Sequence, residues 1–367
     1  MKGYLVLESG EMYEGTLLNS AHAGSTNFER AGEVVFNTSN TGYEEIATDP
    51  SYFSQIIVMT APQQGNYGIS KSFWESNQIH IQGFVALEIQ NSKRESSWVD
   101  QLGNHGVPLL SGIDTRHLTM RLRSGGTPWG AIVAAQNPAQ AKTKADKLIQ
   151  EKRVIEKDWV YAVSAKDSQI LKGENASGPR VALLDFGTKQ NIVRLAQKYA
   201  KEIKIFNSRA SFEEISSYNP QAILLTNGPG DPADVKIAVE TTRGFIGRRP
   251  IYGICMGHQI LCLALGAKTY KLKFGHRGSN HPIRDEVLNE IYVSSQNHGY
   301  AVDPKTLPAE VKITHTNLND QSVAGIYWKE KSILGIQYHP EACPGPHDAQ
   351  GLFRFFFDEM VASYKYE

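Results

Sequence analysis

The chain has few cysteines and no excess of charge of either sign. Only three of its 367 residues are cysteines, and Lys+Arg and Asp+Glu are equal at 38 each. An odd cysteine number without a C-x-x-C pair argues against disulfides and zinc ligation, and favours a reducing compartment. Zero net charge gives no electrostatic basis for binding nucleic acid or an anionic membrane. We therefore expect no metal, no nucleic-acid partner and no membrane partner.

Long apolar runs are also absent. The opening residues, MKGYLVLESG, contain only a brief apolar run before Glu8, which is too short for a signal peptide. The apolar window 251–265 is interrupted by His258 and Gln259, and no stretch reaches the length of a membrane-spanning helix. The G-x-x-x-x-G-K-[ST] motif is missing, so we expect no Walker nucleotide site in this chain. Together these absences indicate a soluble, cytoplasmic protein.

The length of the chain predicts two domains joined by a linker. Residues 164–179, SAKDSQILKGENASGP, are polar and rich in Ser, Gly and Lys, a composition typical of a linker. This places an N-terminal domain at 1–163 and a C-terminal domain at 180–367. The N-terminal domain begins strand-rich, with helical patterns near 98–105 and 114–123, and we expect an α/β fold.

The C-terminal domain alternates strands with helices. The pattern predicts strands at 181–185, 203–206, 222–226 and 251–254, and helices at 189–201, 212–218, 234–246 and 259–265. This order is typical of a doubly wound, mostly parallel sheet, which binds its ligands at the carboxyl ends of the strands. Residues 271–337 predict short antiparallel strands, and 349–364 predict a final helix.

The segment YGICMGHQI places a cysteine between two glycines. Gly253, Cys255 and Gly257 form G-x-C-x-G, the cysteine version of the strand-to-helix elbow that presents a nucleophile. The free N–H groups and positive dipole end of the following helix lower a thiol pKa and can hold an oxyanion. Cys255 is thus a candidate nucleophile; the alternative is a small buried core residue.

A nucleophilic thiol needs a base, and the base needs an orienting group. The segment YHPEA supplies His339 and Glu341, which would act as the base and the acid of a triad. A structural histidine is the alternative, because an H-x-E pair alone is a weak signal. Core packing is the favoured interpretation of Cys262. Cys343 lies close to the H-P-E turn, but no elbow presents it as a second nucleophile.

Two further loops contain candidate site residues. In TNGPGD, 226–231, Gly228 and Gly230 allow a ligand to approach the backbone, and the Gly230 N–H is suited to an oxyanion hole. An ordinary turn is the alternative. QNHGYAV, 296–302, predicts a turn with polar and aromatic ends.

Taken together, these motifs resemble the class I, triad-type glutamine amidotransferases over roughly residues 180–365. Residues 33–58, EVVFNTSNTGYEEIATDPSYFSQIIV, resemble the signature of the small, glutaminase chain of the carbamoyl-phosphate synthase family. The same family is matched at 112–126, 273–283, 295–303 and 340–349. The resemblance therefore covers nearly the whole chain.

The resemblance implies a role for each matching residue. Cys255 would form a γ-glutamyl thioester, with His339 as acid/base and Glu341 as its orienter. The backbone N–H groups of Met256 and Gly230 would form the oxyanion hole. Glutamine would be held by Ser51, Gly228, Gly230, Met256, Gln259, Asn297, Gly299 and Tyr300.

The resemblance also implies a partner. Ammonia from glutamine would pass to a large subunit that uses ATP and Mg to make carbamoyl phosphate from bicarbonate, so no cofactor is expected in this chain. Such heterodimers would assemble further and serve arginine or pyrimidine biosynthesis. Two alternatives are a glutaminase for another synthetase, such as an anthranilate- or GMP-type enzyme, and a non-catalytic regulatory subunit. The N-terminal signature argues against the first, and the intact Cys, His and Glu argue against the second.

Overall fold

A computed structural model describes residues 1–19, 28–155 and 158–366. The chain divides into two compact units, Met1–Lys157 and Asp158–Glu367. Both units combine strands with helices, as predicted. None of the helices in the described ranges is long and apolar enough to span a membrane.

The first unit is built on a closed barrel. Its described strands are β1 (Lys2–Leu7), β2 (Met12–Leu17), β3 (Arg30–Asn37), β4 (Gln55–Met59), β5 (Gln63–Gln64), β6 (Gly83–Ala86), β7 (Glu88–Ile89), β8 (Leu109–Ser111) and β9 (Trp129–Ala134). Its helices are α1 (Tyr43–Thr48), α2 (Trp98–Asn104), α3 (Thr115–Gly125) and α4 (Pro138–Ile155). The barrel order is β1-β2-β8-β6-β4-β3-β9, and β9 closes onto β1. β4, which lies between β6 and β3 in this barrel, is buried along its whole length.

Helix α4 was not predicted from the sequence. Its buried stripe consists of Ala141, Ala145 and Ile149, which pack with Val6 and Val133 of the barrel. The four-residue spacing puts these three side chains on one helix face. Because two of the three are alanines, the apolar periodicity is too weak to mark the helix in the sequence.

The second unit contains one large sheet. Its strands are β10 (Gln169–Lys172), β11 (Arg180–Asp185), β12 (Glu202–Asn207), β13 (Ala222–Leu225), β14 (Ile251–Ile254), β15 (Thr269–Asp285), β16 (Glu290–Val302), β17 (Lys312–Asn317), β18 (Val323–Trp328) and β19 (Ile333–Ile336). Its helices are α5 (Trp159–Val163), α6 (Gln190–Tyr199), α7 (Phe212–Ser217), α8 (Lys236–Phe245), α9 (Met256–Ala264) and α10 (Gly351–Arg354), the last continuing as a π-helix over Phe355–Val361.

The sheet order is β10-β12-β11-β13-β14-β19-β18-β17-β15-β16. The run β12-β11-β13-β14-β19 is parallel, and the remaining pairs are antiparallel. Strands β13 and β14 are buried along their whole length, as expected for parallel strands covered by helices on both faces. The predicted doubly wound sheet is confirmed, and its parallel run brings the carboxyl ends of β11, β13, β14 and β19 to one edge.

The boundary between the units lies earlier than the predicted linker at 164–179. Strand β10 falls inside that segment and pairs antiparallel with β12. The backbone N–H of Ala165 donates to Asp185 at 2.7 Å, and Ser164 accepts from the N–H of Ser208 at 2.9 Å. The segment therefore belongs to the second unit. Its polar composition reflects an exposed edge strand, which resembles a linker in sequence.

Candidate active site

Cys255 lies at the elbow between β14 and α9. Its φ of 54° and ψ of −105° are unusual for a residue with a side chain. A Cβ on Gly253 would lie 2.6 Å from the Gly257 oxygen, and one on Gly257 would lie 2.2 Å from the Leu225 oxygen. Both flanking positions thus require glycine, because the elbow packs directly against neighbouring backbone. The turn places the buried Cys255 thiol at the start of α9.

The H-P-E segment follows β19, the parallel neighbour of β14. The backbone N–H of Cys255 donates to the carbonyl of Ile336 at 2.7 Å, which continues the pairing of the two strands up to the site. His339 Nδ1 lies 2.6 Å from Glu341 Oε1, and both side chains are buried. Its other ring nitrogen, Nε2, has no hydrogen-bond partner among the described residues. The Cys255 side chain acts on the pKa of His339, so the structure brings Cys255, His339 and Glu341 together.

The charges of this cluster support one another. Burial, the largest single influence, would lower the pKa of His339, but the Glu341 carboxylate and the Cys255 side chain together outweigh it, and the pKa rises to about 10. Burial alone would raise the pKa of Glu341, but Lys189 and His339 lower it to about 2. At neutral pH the site thus holds an imidazolium beside a carboxylate.

These shifts predict how stability depends on pH. A pKa raised to about 10 means that folding stabilises the imidazolium of His339; this contribution is complete below about pH 6.5 and is lost as the pH rises through about 10. Between these limits the free energy of unfolding should fall by up to about 1.4 kcal/mol per pH unit. Chemical denaturation at several pH values should show this slope in the wild type and a shallower one in His339→Asn. Equal slopes in both proteins would contradict the assignment.

Lys189 is a member of the cluster that sequence reasoning missed. It follows β11 in the turn DFGTKQN and is almost fully buried, with Nζ 3.1 Å from Glu341 Oε1. Its ammonium also donates to the Ala342 carbonyl, and Asn191 donates to the Glu341 carbonyl at 2.5 Å. The one feature of the sequence that could have indicated Lys189 was its position after the carboxyl end of a buried parallel strand. Its partner lies 152 positions away in the chain, so spacing could not reveal the pair.

The glycine loop follows β13, beside the elbow. A Cβ on Gly228 would lie 2.2 Å from the Phe186 oxygen, so this position requires glycine. Gly230 has a φ of 89°, a conformation that favours glycine. Met256 is the first residue of α9, so its N–H has no carbonyl to bond within the helix. Both predicted oxyanion donors thus follow strands, β13 and β14, whose carboxyl ends lie at the same edge of the sheet.

The predicted turn at 296–302 is instead part of β16. Asn297 pairs with Arg277 of β15 within a strand that runs to Val302, because the hairpin partner satisfies its backbone. The Asn297 carbonyl lies 3.5 Å from Cys255 Sγ. Gln259 Nε2 donates to the carbonyl of Tyr300 at 2.8 Å. Strand β16 therefore places both Asn297 and Tyr300 at the site, and Gly299 lies between these two residues in the sequence.

Ser51 belongs to the first unit. It is the second residue of a short 3-10 turn, Pro50–Tyr52, and is buried. Its backbone N–H donates to Asp49 Oδ1 at 2.8 Å, so Asp49 caps this turn. A role for Ser51 in holding glutamine stays a prediction.

The other two cysteines differ from Cys255. Cys262 packs in the core with Val302 and Ile326, and burial raises the pKa of its thiol. Cys343 is half-buried, with a φ of 57°, and lies two residues after Glu341 of the H-P-E turn. No group of three or more His, Cys, Asp and Glu side chains in the described part of the chain has the geometry of a metal site.

Comparison with known proteins assigns each of the two units to a protein family. A family model described as glutamine amidotransferase class-I matches residues 182–359, and the elbow and triad lie inside this range. A second model, carbamoyl-phosphate synthase small chain, CPSase domain, matches residues 5–132. The second unit is therefore a class-I glutamine amidotransferase domain.

Relatives match nearly the full length of the chain, and two of them illustrate the similarity. A carbamoyl phosphate synthase small chain of Caldanaerobacter subterraneus subsp. tengcongensis is 45% identical, covering 100% of this chain and 98% of the relative. One from Methanococcus maripaludis is 43% identical, covering 98% and 97%. The chain belongs to the carbamoyl-phosphate synthase small-chain family. Among solved structures, a glutamine amidotransferase from Thermotoga maritima is 19% identical and covers 44% of this chain and 76% of its own, with a TM-score of 0.35.

Proposed function

We propose that this chain is the glutaminase subunit of a glutamine-hydrolysing carbamoyl-phosphate synthase. The observation that carries the proposal is the buried Cys255–His339–Glu341 cluster on a strand-to-helix elbow. Its chemistry is that of amide hydrolysis through a thioester. The family match over both units supports a synthase of this kind over other amidotransferases.

The cluster suits each step of the reaction. Cys255 Sγ would attack the side-chain amide carbon of glutamine, and the N–H groups of Met256 and Gly230 would hold the oxyanion. His339 would give its Nε2 proton to the leaving nitrogen, so that ammonia departs and the γ-glutamyl thioester remains. The neutral imidazole would then take a proton from water, which attacks the thioester and releases glutamate and the Cys255 thiolate. Glu341 would hold the ring and stabilise its cation throughout.

The remaining predicted residues would bind the substrate. We propose that Gly228, Gly230, Asn297, Gly299 and Tyr300 line the glutamine site with backbone groups. Gln259 is suited to a specific role, because its Nε2 already donates to Tyr300 and Gln337. Its Oε1 would be the acceptor offered to glutamine.

The ammonia would pass to a large subunit. The relatives are named small chains, and the sequence has no Walker motif. We therefore propose that ATP and Mg bind to the large subunit, that the two chains work in the cytoplasm, and that heterodimers assemble further.

The holoenzyme tests this proposal. The chain should copurify with a long ATP-using synthetase, and the complex should make carbamoyl phosphate from glutamine or from added ammonia. Diazo-oxo-norleucine, a glutamine-like electrophile, should label Cys255 once per chain and stop only the glutamine-dependent synthesis. Labelling elsewhere, or glutamine hydrolysis that persists after Cys255 is labelled, would contradict the proposed chemistry. Copurification with a chorismate-type or nucleotide synthetase would contradict the proposed partner.

A further inference from the structure

Gln337 is a buried side chain between two residues of the site. It follows β19, two positions before His339, and its backbone N–H donates to Ala324 at 2.9 Å. Its Oε1 accepts from Gln259 Nε2 at 3.0 Å, and its Nε2 lies 3.9 Å from Cys255 Sγ. Only 2% of the residue is exposed. Because both the oxygen and the nitrogen of this carboxamide have a partner, the carboxamide has one fixed orientation.

The direction is set by the backbone of β16. The Tyr300 carbonyl can only accept, so the end of Gln259 that faces it must be the NH₂ group. The same NH₂ group also faces Gln337, whose near end must therefore be the oxygen. This leaves the NH₂ group of Gln337 facing the sulfur of Cys255. Hydrogen bonds thus connect the Tyr300 carbonyl, through the carboxamides of Gln259 and Gln337, to the sulfur of Cys255.

We infer that Gln337 is a positioning residue that connects the nucleophile to the glutamine site. Its NH₂ group donates to Cys255 Sγ and stabilises the thiolate, both before attack and when the thioester is cleaved. Its oxygen holds Gln259 so that the Gln259 carbonyl oxygen faces the substrate. The inference rests on the proposed glutaminase function, since it assigns the nucleophile to Cys255.

Two substitutions separate the two functions of Gln337. Gln337→Met keeps the volume but removes both the donor and the acceptor. Gln337→Glu keeps an acceptor for Gln259 and, when ionised, has no N–H for the sulfur. The matched control is Gln221→Met, because Gln221 is a half-buried carboxamide whose Oε1 accepts from the N–H of Arg180 at the opposite end of the sheet.

The measurements are the pH profile of Cys255 alkylation by iodoacetamide and the glutamine kinetics of the holoenzyme. Alkylation follows the thiolate fraction, so both Gln337 variants should react about three- to tenfold more slowly at pH 7, with a midpoint shifted to higher pH. Gln337→Met should also raise the KM for glutamine several-fold, whereas Gln337→Glu should change KM little. Ammonia-dependent synthesis should stay at the wild-type rate in all variants, which shows that the complexes are folded and assembled.

A role in packing alone would lower the number of active sites without moving the alkylation midpoint. Midpoints equal to that of the wild type in both variants would therefore overturn the inference while leaving the glutaminase function intact. If Gln337→Met fails to assemble, the midpoint of Gln337→Leu, which removes the same donor and adds no charge, decides. A wild-type holoenzyme that hydrolyses no glutamine and does not react at Cys255 would instead refute the proposed function, and the inference with it.

Discussion

Replacement of Cys255 by alanine is expected to reduce glutamine-dependent carbamoyl phosphate synthesis by about four orders of magnitude or more, as removal of a catalytic nucleophile does in other hydrolases. Synthesis from added ammonia should continue at the wild-type rate, because that route does not use the thiol. The holoenzyme assay with each nitrogen source, at saturating ATP and bicarbonate, measures both effects. Loss of the two activities together would contradict the assignment of Cys255 as the nucleophile.

The matched control is Cys262→Ala. Cys262 lies on α9, the helix that begins after Cys255, seven residues from that cysteine, and is fully buried. Burial raises the pKa of its thiol, so it is a poor nucleophile. This variant should cost some stability and keep glutamine-dependent activity. A comparable loss of activity in both variants would mean that the helix, rather than the thiol of Cys255, is responsible.

Replacement of Lys189 by methionine is expected to destabilise the second unit by about 3–5 kcal/mol. Lys189 and Glu341 are both buried, and removal of one partner of a buried ion pair leaves the other charge uncompensated. The pKa of Glu341 should rise, because the Lys189 ammonium now lowers it. The Ala342 carbonyl would also lose its donor, so the turn that follows the triad would loosen. Glutamine hydrolysis should fall together with stability.

Lys198→Met provides the comparison, since Lys198 is exposed on α6 close to Lys189 in sequence. Surface substitutions of this kind change stability by no more than about 0.5 kcal/mol. Urea denaturation followed by fluorescence, with glutaminase activity measured in parallel, distinguishes the two variants. A Lys189→Met protein as stable and active as Lys198→Met would show that the buried ion pair does not hold the triad.

Some parts of the site could be predicted from the sequence because they depend only on residues that are neighbours in the chain. An elbow needs small residues within a five-residue window, and GICMG supplies them at Gly253 and Gly257. The carboxylate that orients His339 lies two positions away, at Glu341. The alternation of strands and helices likewise predicted the parallel part of the sheet, and hence which loops meet at one edge.

Segments with an ambiguous local pattern were assigned less well. The polar strand β10 has the composition of a linker, and the alanine-rich face of α4 gives little periodicity. The residues around Asn297 have turn-like composition, yet the hairpin with β15 holds them in an extended strand. In each case a partner distant in sequence decided the local conformation.

By itself the sequence determined the nucleophile elbow, the candidate triad, the parallel sheet and the resemblance in both halves of the chain, because each depends on neighbouring residues or on a regular period. Only the tertiary structure decided which further side chains complete the site. Lys189 and Gln337 contact the triad because β11 and β19 end at the same edge of the sheet as β14. Their effect on charge and hydrogen bonding depends on burial and distance, and neither property is encoded by spacing along the chain.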